Sequence, residues 1–278
     1  SEYLLGRTPN PCVRCNKRLK FDALLKQASN SGVDFDFFVT GHYAKVRFST
    51  ERKRYVLSKA IDGKKDQSYF LYSLSQEQLS RVVFPIGGYT KQQVRDIAVD
   101  LGLKVSDKAE SQDFADVGYD QLMGGFTNPG PIINTQGEVL GQHRGIVYYT
   151  VGQRRGLRIP SPHPLYVIAL DYLSNSVVVG CKSEVWAKGL IASGMNWIAF
   201  DELDWPIYIS AKVRSTHEGV PAQVTPLTGE RVHVEFENEQ MAIAPGQAVV
   251  FYDGDDLVGG GTIDKAQRSE TCEVAAII

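Results

Sequence analysis

Apolar and polar positions follow two different periods along this chain, and the change of period divides it. Phe21, Leu24, Leu25 and Ala28 fall at i, i+3, i+4 and i+7, the spacing of one helix face. Asn16 is placed to cap this helix and Gly32 to stop it, which leaves residues 1–16 as loop. Residues 35–40 then make an apolar run short enough for a buried strand, ending at Gly41-His42-Tyr43. Residues 55–59 read as a strand in a charged hairpin. Ser75 with Gln78, and Thr90 with Gln93, have the spacing of capping boxes. The second box leads into Val94, Ile97, Ala98 and Leu101, again one apolar face. Helices and strands in this mixture predict an α/β layer.

The texture changes after about residue 120, where Gly124, Gly125, Pro129, Gly130 and Pro131 break the chain. Short strands are predicted at 146–150, 165–171 and 176–179. An all-β block follows at 207–214, 222–226, 232–236 and 248–252, with 258–263 after an Asp253-Gly254 turn. The expected organisation is an α/β part over residues 1–120, a small β-rich part over 121–190 and a second one over 191–278.

Composition changes this picture little. The chain has 278 residues, 43% hydrophobic and 22% charged, with a net charge of -2. That balance fits a folded globular protein and does not advertise a nucleic-acid binder, although a local basic surface would suffice for one. No apolar run approaches the roughly 18–20 residues that span a membrane. Ser1-Glu2-Tyr3-Leu4-Leu5 lacks the basic and apolar regions of a secretory leader, so a cytoplasmic monomer is expected. The 4 cysteines are too few for a disulfide scaffold.

Two of them form Cys12-x-x-Cys15, in the stretch Gly6-Arg7-Thr8-Pro9-Asn10-Pro11-Cys12-Val13-Arg14-Cys15-Asn16-Lys17. Pro9 and Pro11 stiffen the approach. Cys15 is expected at or just before a helix N-terminus, where the dipole, Arg14, Lys17 and Arg18 favour thiolate over thiol and make it a candidate nucleophile or metal ligand. A zinc knuckle would need a second ligand pair, and the five histidines, at 42, 143, 163, 217 and 233, are scattered. A thioredoxin-like redox pair would follow a strand, and none precedes this motif. Gly152-Gln153-Arg154-Arg155-Gly156, with Arg144 and Arg158, reads either as a basic turn or as a phosphate-binding patch. Lys64-Lys65 and Arg52-Lys53-Arg54 read either as solvated hairpin tips or as RNA contacts.

Thr8-Pro9-Asn10-Pro11, followed by Cys15-Asn16 and Lys20-Phe21, resembles the catalytic loop of tRNA-specific 2-thiouridylases. Further landmarks of that family follow in order: Thr40-Gly41-His42-Tyr43-Ala44, Lys65-Asp66-Gln67-Ser68-Tyr69-Phe70-Leu71, Ser111-Gln112-Asp113, Gly152–Leu157, Ala244-Pro245-Gly246-Gln247 and Gly259-Gly260-Gly261. The resemblance implies a PP-loop (adenine nucleotide α-hydrolase) domain, a small central domain and a C-terminal β-barrel. It implies a tRNA-uridine 2-sulfurtransferase that uses ATP with Mg2+ to adenylate O2 of the flipped-out wobble uridine. A cysteine-borne sulfur then attacks C2 and AMP leaves. The sulfur comes from a cysteine desulfurase or a persulfide relay protein.

By the same resemblance Cys15 is the nucleophile, and Asn10, Pro11 and Cys12 touch the target base. Gly41 contacts the nucleotide, and His42, Lys65, Asp66, Gln67, Arg214 and Gln247 contact tRNA. Two positions depart from the family. Cys12 stands where many members have Asp, and Ala115 stands where many have a second cysteine. Cys12, three residues from Cys15, is therefore expected to take over one of the two thiol roles of persulfide chemistry, carrying the persulfide or resolving it as a disulfide; the rival is an iron–sulfur cluster on Cys12 and Cys15, which ordinarily needs three or four thiolates. The family also opens with a strand and a Ser-Gly-Gly-x-Asp-Ser phosphate loop. Ser31-Gly32-Val33-Asp34 imitates it but lacks the second glycine and ends a helix, so ATP binding by this sequence alone is expected to be poor. A non-catalytic tRNA-binding protein on the same scaffold is the alternative; an activated thiol argues against it.

Overall fold

The computed structural model describes residues 2–103 and 128–268. Residues 111–115, Gly124 and Gly125, singled out above, and the fourth cysteine, Cys272, lie outside the described residues. The first helix starts earlier than its apolar spacing predicts. Asn10 has extended backbone, and its Oδ1 accepts the N–H groups of Cys12 and Val13 at 3.1 and 3.3 Å. Pro11 takes the next position, where a helix loses no hydrogen bond to a missing N–H. The chain then runs as α1 (Pro11–Arg14), a π-helical segment (Cys15–Ala23) and α2 (Leu24–Asn30). Gly32, at φ 78°, follows its end. Asn16 is thus not a cap; it is buried, and its amide donates to the Phe70 carbonyl at 3.1 Å.

The predicted apolar stripe is only partly used: Phe21 is 2% exposed but Leu24 is 53% exposed. The run at 35–40 contributes only β1 (Phe38–Val39). A hairpin follows, β2 (Ala44–Ser49) and β3 (Arg54–Lys59), then α3 (Gln76–Ser80), β4 (Val82–Val83) and α4 (Lys91–Asp100). β1 and β4 pair in parallel. Both predicted capping boxes close, Ser75 with Gln78 and Thr90 with Gln93.

The middle of the chain forms a four-stranded sheet from β5 (Gly130–Asn134), β6 (Val139–His143), β7 (Tyr166–Asp171) and β8 (Ser176–Gly180). Residues 146–150, expected as a strand, instead contain a 3-10 turn at Ile146–Tyr148 that follows Gly145 and buries Ile146 and Val147. The last part comprises β9 (Trp186–Trp197), β10 (Ile207–Lys212), β11 (Val220–Leu227), β12 (Arg231–Met241), β13 (Ala248–Asp253) and β14 (Asp256–Gln267). These strands pair in the order β13-β10-β11-β12-β9-β14, and β13 pairs again with β14, which closes a barrel without free edges. β9 begins at Trp186, ahead of the boundary expected at 191.

The first part and the barrel share one core. β3 pairs with β14 through Ser58 and Leu57. Phe21, Leu57, Leu71, Ile198, Tyr252 and Leu257 pack in a single buried cluster. Asp256 reinforces the seam, accepting both an Arg47 guanidinium N–H at 2.8 Å and the Ser58 hydroxyl at 2.7 Å.

His42 lies just beyond the carboxyl end of β1 and is buried there against the rings of Phe21 and Phe84, at 5.7 and 5.8 Å. Its Nδ1 is 2.8 Å from the Thr40 hydroxyl. Burial, with help from the charge of Lys20, pulls its pKa down to about 4. Below about 6.5 the unfolded chain takes up a proton that the folded chain refuses until about pH 4, so acid favours unfolding. Urea unfolding at pH 7.5 and 4.5 is expected to show a loss attributable to His42 of about 2–3 kcal/mol. His42→Gln removes that part of the loss; equal acid sensitivity in both proteins would contradict the assignment.

Gly246 fixes how two chain segments approach each other, and Gly254 shares its left-handed backbone without any such neighbour. Gly246 has φ 89°, and a Cβ there would stand 2.9 Å from the backbone nitrogen of Thr8. Gly254 has φ 59° but faces open space. Gly254→Ala is therefore expected to cost about 1 kcal/mol in denaturant unfolding, from backbone strain alone. Gly246→Ala is expected to cost about 2–3 kcal/mol, because strain and a backbone clash add. Equal losses would show that Gly246 is not in close contact with the Thr8 backbone.

Candidate active site

The loop before α1 is held from two sides. The Thr8 N–H donates to the Pro245 carbonyl at 2.8 Å. The Arg7 guanidinium reaches the Ile263 carbonyl and the Asp264 carboxylate, both at 3.2 Å, and pairs with Glu2 at 3.2 Å. On the other side Gly6, at φ 66°, lies so close to Leu170 of β7 that a Cβ would come within 3.0 Å of its carbonyl oxygen. The cysteine-bearing helix therefore starts where the barrel and the middle sheet both touch the loop.

On this helix Cys12 is the second residue and Cys15 stands one turn later, so both lie on neighbouring parts of one face. Both are half-buried and free. The expectation that Cys15 marks the helix N-terminus is corrected: Asn10 and Pro11 mark it, and Cys12 is the cysteine in the first turn. Burial pushes the Cys12 thiol up and the charge of Cys15 adds to this, while Lys20 works the other way. Lys20 was not singled out as a site residue. It sits on the π-helical segment, half-buried, and its charge acts on both Cys12 and His42. Its spacing of eight from Cys12, two helical turns, was the signal that could have found it. The π-helical register itself is of a kind that clusters at functional sites. Here it presents the Phe21 carbonyl to the Gln78 amide at 2.7 Å.

Three of the site residues expected from the family resemblance meet at one cleft. Asn10, Arg214 and Gln247 line it together with Gly152 and Gln153 of the basic turn, and with Thr150, Ser215 and Thr216. Gly152 allows this junction: it has φ 87°, and a Cβ would stand 2.3 Å from that of Ala242. The Arg214 guanidinium donates to the Ala242 carbonyl, which ties this lining residue to the segment after β12. Gln153 steadies the turn, accepting the Thr150 N–H at 3.1 Å and donating to the Arg155 carbonyl at 2.9 Å. Arg154 and Arg158 turn instead to an adjoining depression with His163, and Arg144 stacks on Tyr148 at 3.9 Å.

The remaining predicted residues lie elsewhere, and several have structural duties. Gly41 is exposed at the end of β1 beside Ile86. His42 is in the core. Asp66 accepts the N–H groups of Ala60 and Ser68 and the Ser68 hydroxyl, at 3.0, 3.2 and 2.9 Å. Gln67 bridges to the loop after β1, accepting the Tyr43 N–H at 2.9 Å while its own N–H donates to the Tyr43 carbonyl at 2.8 Å. Lys65 adjoins both. Pro11 is exposed beside the cleft residue Asn10. Among the described residues no group of three or more His, Cys, Asp or Glu side chains could hold a metal ion. Cys181 is remote from the pair in sequence and is engaged with Ser183 and Glu184. Two thiolates fall short of the three or four that a cluster takes.

Known proteins match this chain in each of its three parts. The tRNA methyl transferase HUP domain family matches residues 1–118, the tRNA methyl transferase PRC-barrel domain family residues 124–181, and the aminomethyltransferase beta-barrel domain family residues 187–263. A tRNA-specific 2-thiouridylase MnmA of Pelotomaculum thermopropionicum is 46% identical over 95% of this chain and 73% of its own length. That of Acetivibrio thermocellus is 45% identical over 94% of this chain and 74% of its own. That of Geotalea uraniireducens is 46% identical over 98% of this chain and 73% of its own. Identity of this level, sustained through all three parts of the fold, places the chain in the tRNA-specific 2-thiouridylase family.

Proposed function

We propose that this protein is a tRNA-uridine 2-sulfurtransferase that makes 2-thiouridine at the wobble position of tRNA, with Cys15 as nucleophile and Cys12 as its resolving partner. The observation that carries the reading is the cleft. Residues far apart in sequence, Asn10, Gly152, Arg214 and Gln247, line it beside the start of the cysteine-bearing helix. Polar amides and a guanidinium around a cleft suit a flipped base and its phosphate. The thiouridylase relatives support the same assignment. A purely tRNA-binding role leaves the paired thiols and Lys20 without purpose.

The chemistry follows from the thiol pair. ATP is the co-substrate, with Mg2+ as the ion that would neutralise its phosphates: O2 of the uridine attacks the α-phosphorus, the bond to the β-phosphate oxygen breaks and pyrophosphate leaves, so that O2 departs later as part of AMP. Gly41, at the carboxyl edge of the parallel pair β1–β4, stands where open α/β sheets bind nucleotides. A donor protein, a cysteine desulfurase or persulfide relay protein, leaves a persulfide on Cys15. Its terminal sulfur attacks C2, the C2–O2 bond breaks, and AMP leaves with the oxygen. The Cys12 thiolate then attacks Cys15 Sγ, the S–S bond breaks, and sulfur stays on the base while a Cys12–Cys15 disulfide forms. An external thiol reductant returns both thiols. Residues three apart on a helix have Cβ atoms about 5–6 Å apart, so the bond needs a modest local adjustment. The raised pKa of Cys12 means that it begins as a thiol; Lys20 is the group placed to favour its deprotonation.

The test uses the full-length protein, unmodified tRNA, Mg-ATP and a persulfide source, with 2-thiouridine read by nucleoside mass spectrometry. Cys15→Ser is expected to lower thiolation by at least about 10³-fold. Cys12→Ser is expected to lose turnover as well; full thiolation by that variant would remove Cys12 from the mechanism.

Asn10 offers a second test, because its cap and its place in the cleft can be separated. Asn10→Ser keeps an N-cap and should stay within about 0.5 kcal/mol of the parent in stability, whereas Asn10→Ala should lose about 1 kcal/mol. Both are expected to thiolate poorly. A fully active Asn10→Ser would leave Asn10 as a cap and nothing more.

A further inference from the structure

Two lysines near Arg214 have no part in the account above. Lys59 closes β3 and Lys212 closes β10, and their ammonium groups lie 4.8 and 5.8 Å from the centroid of one ring, that of Tyr252 on β13. The Tyr252 hydroxyl is 3.0 Å from the Ser68 hydroxyl, which donates to Asp66 at 2.9 Å. The ring that the two lysines share is thus linked through Ser68 to Asp66 of the Lys65–Gln67 segment, and Lys212 precedes Arg214 by two residues.

Their charge is poorly matched. Lys59 donates to the Gly254 carbonyl at 2.8 Å and reaches the exposed Asp255 only at 3.9 Å. Lys212 is half-buried and, among the described residues, makes no hydrogen bond and no ion pair within 4 Å. Asp66 is its main anionic neighbour, and both oxygens of that carboxylate are already occupied by Ala60 and Ser68. Glu218 attracts it more weakly, and Lys59 repels it. His217 feels Arg214 and Lys212 as unfavourable charges. Cation–π attraction to a single ring does not explain the pair, since a second ammonium at one ring is repelled by the first. A half-buried ammonium whose nearest carboxylate is already engaged costs free energy that a further anion would offset.

We propose that Lys59 and Lys212 form a phosphodiester-binding site for the RNA backbone, carrying it from the Lys65–Gln67 segment to Arg214 and the cleft. The proposal rests on tRNA being the substrate. Contacts of this kind position the RNA and carry no sequence information.

The experiment is tRNA binding by the full-length protein across a salt series, using an unmodified transcript and fluorescence anisotropy. Lys212→Met keeps the apolar stem and removes the charge. It is expected to weaken binding roughly 5- to 10-fold near 0.1 M salt and to lower the slope of log K against log salt by about 0.7–0.9, with Lys212→Arg restoring both. The loss should be equal for transcripts differing in anticodon-loop sequence. Lys59→Met, at the end of the hairpin, should show the same change of slope and serves should Lys212→Met melt early. Parent-like affinity and slope in both variants would overturn the phosphate site alone. A parent protein that binds no tRNA would overturn the tRNA reading, and this site with it.

Discussion

The contact on which this structure depends is the backbone hydrogen bond from Thr8 to Pro245, with Gly246 pressed against the Thr8 backbone. It joins the loop before the cysteine-bearing helix to the barrel, more than two hundred residues away in sequence. Arg7 adds a second hold on β14, and Gly6 a third against β7. Glycine at 6 and 246 is a steric necessity, since both have left-handed backbone and another chain segment where a side chain would go. Asn10 then begins a helix in a direction already set by three parts of the fold. A nucleophile needs this kind of support, because small displacements of reacting groups are costly in rate.

The middle sheet and the barrel both contribute walls to the cleft beside the start of the cysteine-bearing helix. The cleft takes a cap residue from the first part, a glycine turn from the second and Arg214 and Gln247 from the third. The shared core of Phe21, Leu57, Tyr252 and Leu257 makes the first part and the barrel one packed unit. Asp66 and Gln67 illustrate the economy of the arrangement. Their side chains hold the hairpin end and the loop after β1, and that bonding fixes where Lys65 stands at the surface. Residues that the family resemblance assigns to tRNA can therefore act by shaping the backbone that meets it.

Much of this was legible in the sequence. The two capping boxes closed as their spacing predicted, because their bonds are local. The barrel strands at 207–263 were visible through alternation between a buried interior and a wet exterior. What local pattern could not show was set by distant partners. Asn10-Pro11 is a strong helix start, yet the apolar spacing beginning at Phe21 pointed to Asn16. Asn16 is instead buried by its bond to Phe70, fifty-four residues on. β9 escaped notice because bulges against β12 and β14 interrupt its alternation. Ile146–Tyr148 is apolar enough for a strand, but turns after Gly145. Of the site, the cysteine pair and Asn10 could be read directly. The meeting of Asn10 with Gly152, Arg214 and Gln247 is tertiary, and the role suggested for Lys20 needed the helix register.

The central claim is that sulfur reaches tRNA from a persulfide on Cys15. The most direct measurement loads the full-length protein with a persulfide donor, alkylates it before and after adding Mg-ATP and tRNA, and maps the modified cysteines by mass spectrometry. The account predicts an extra sulfur on Cys15 that disappears as 2-thiouridine appears, leaving Cys12 and Cys15 joined. Thiolation with no extra sulfur ever found on Cys15, in protein carrying stoichiometric iron and sulfide, would contradict it.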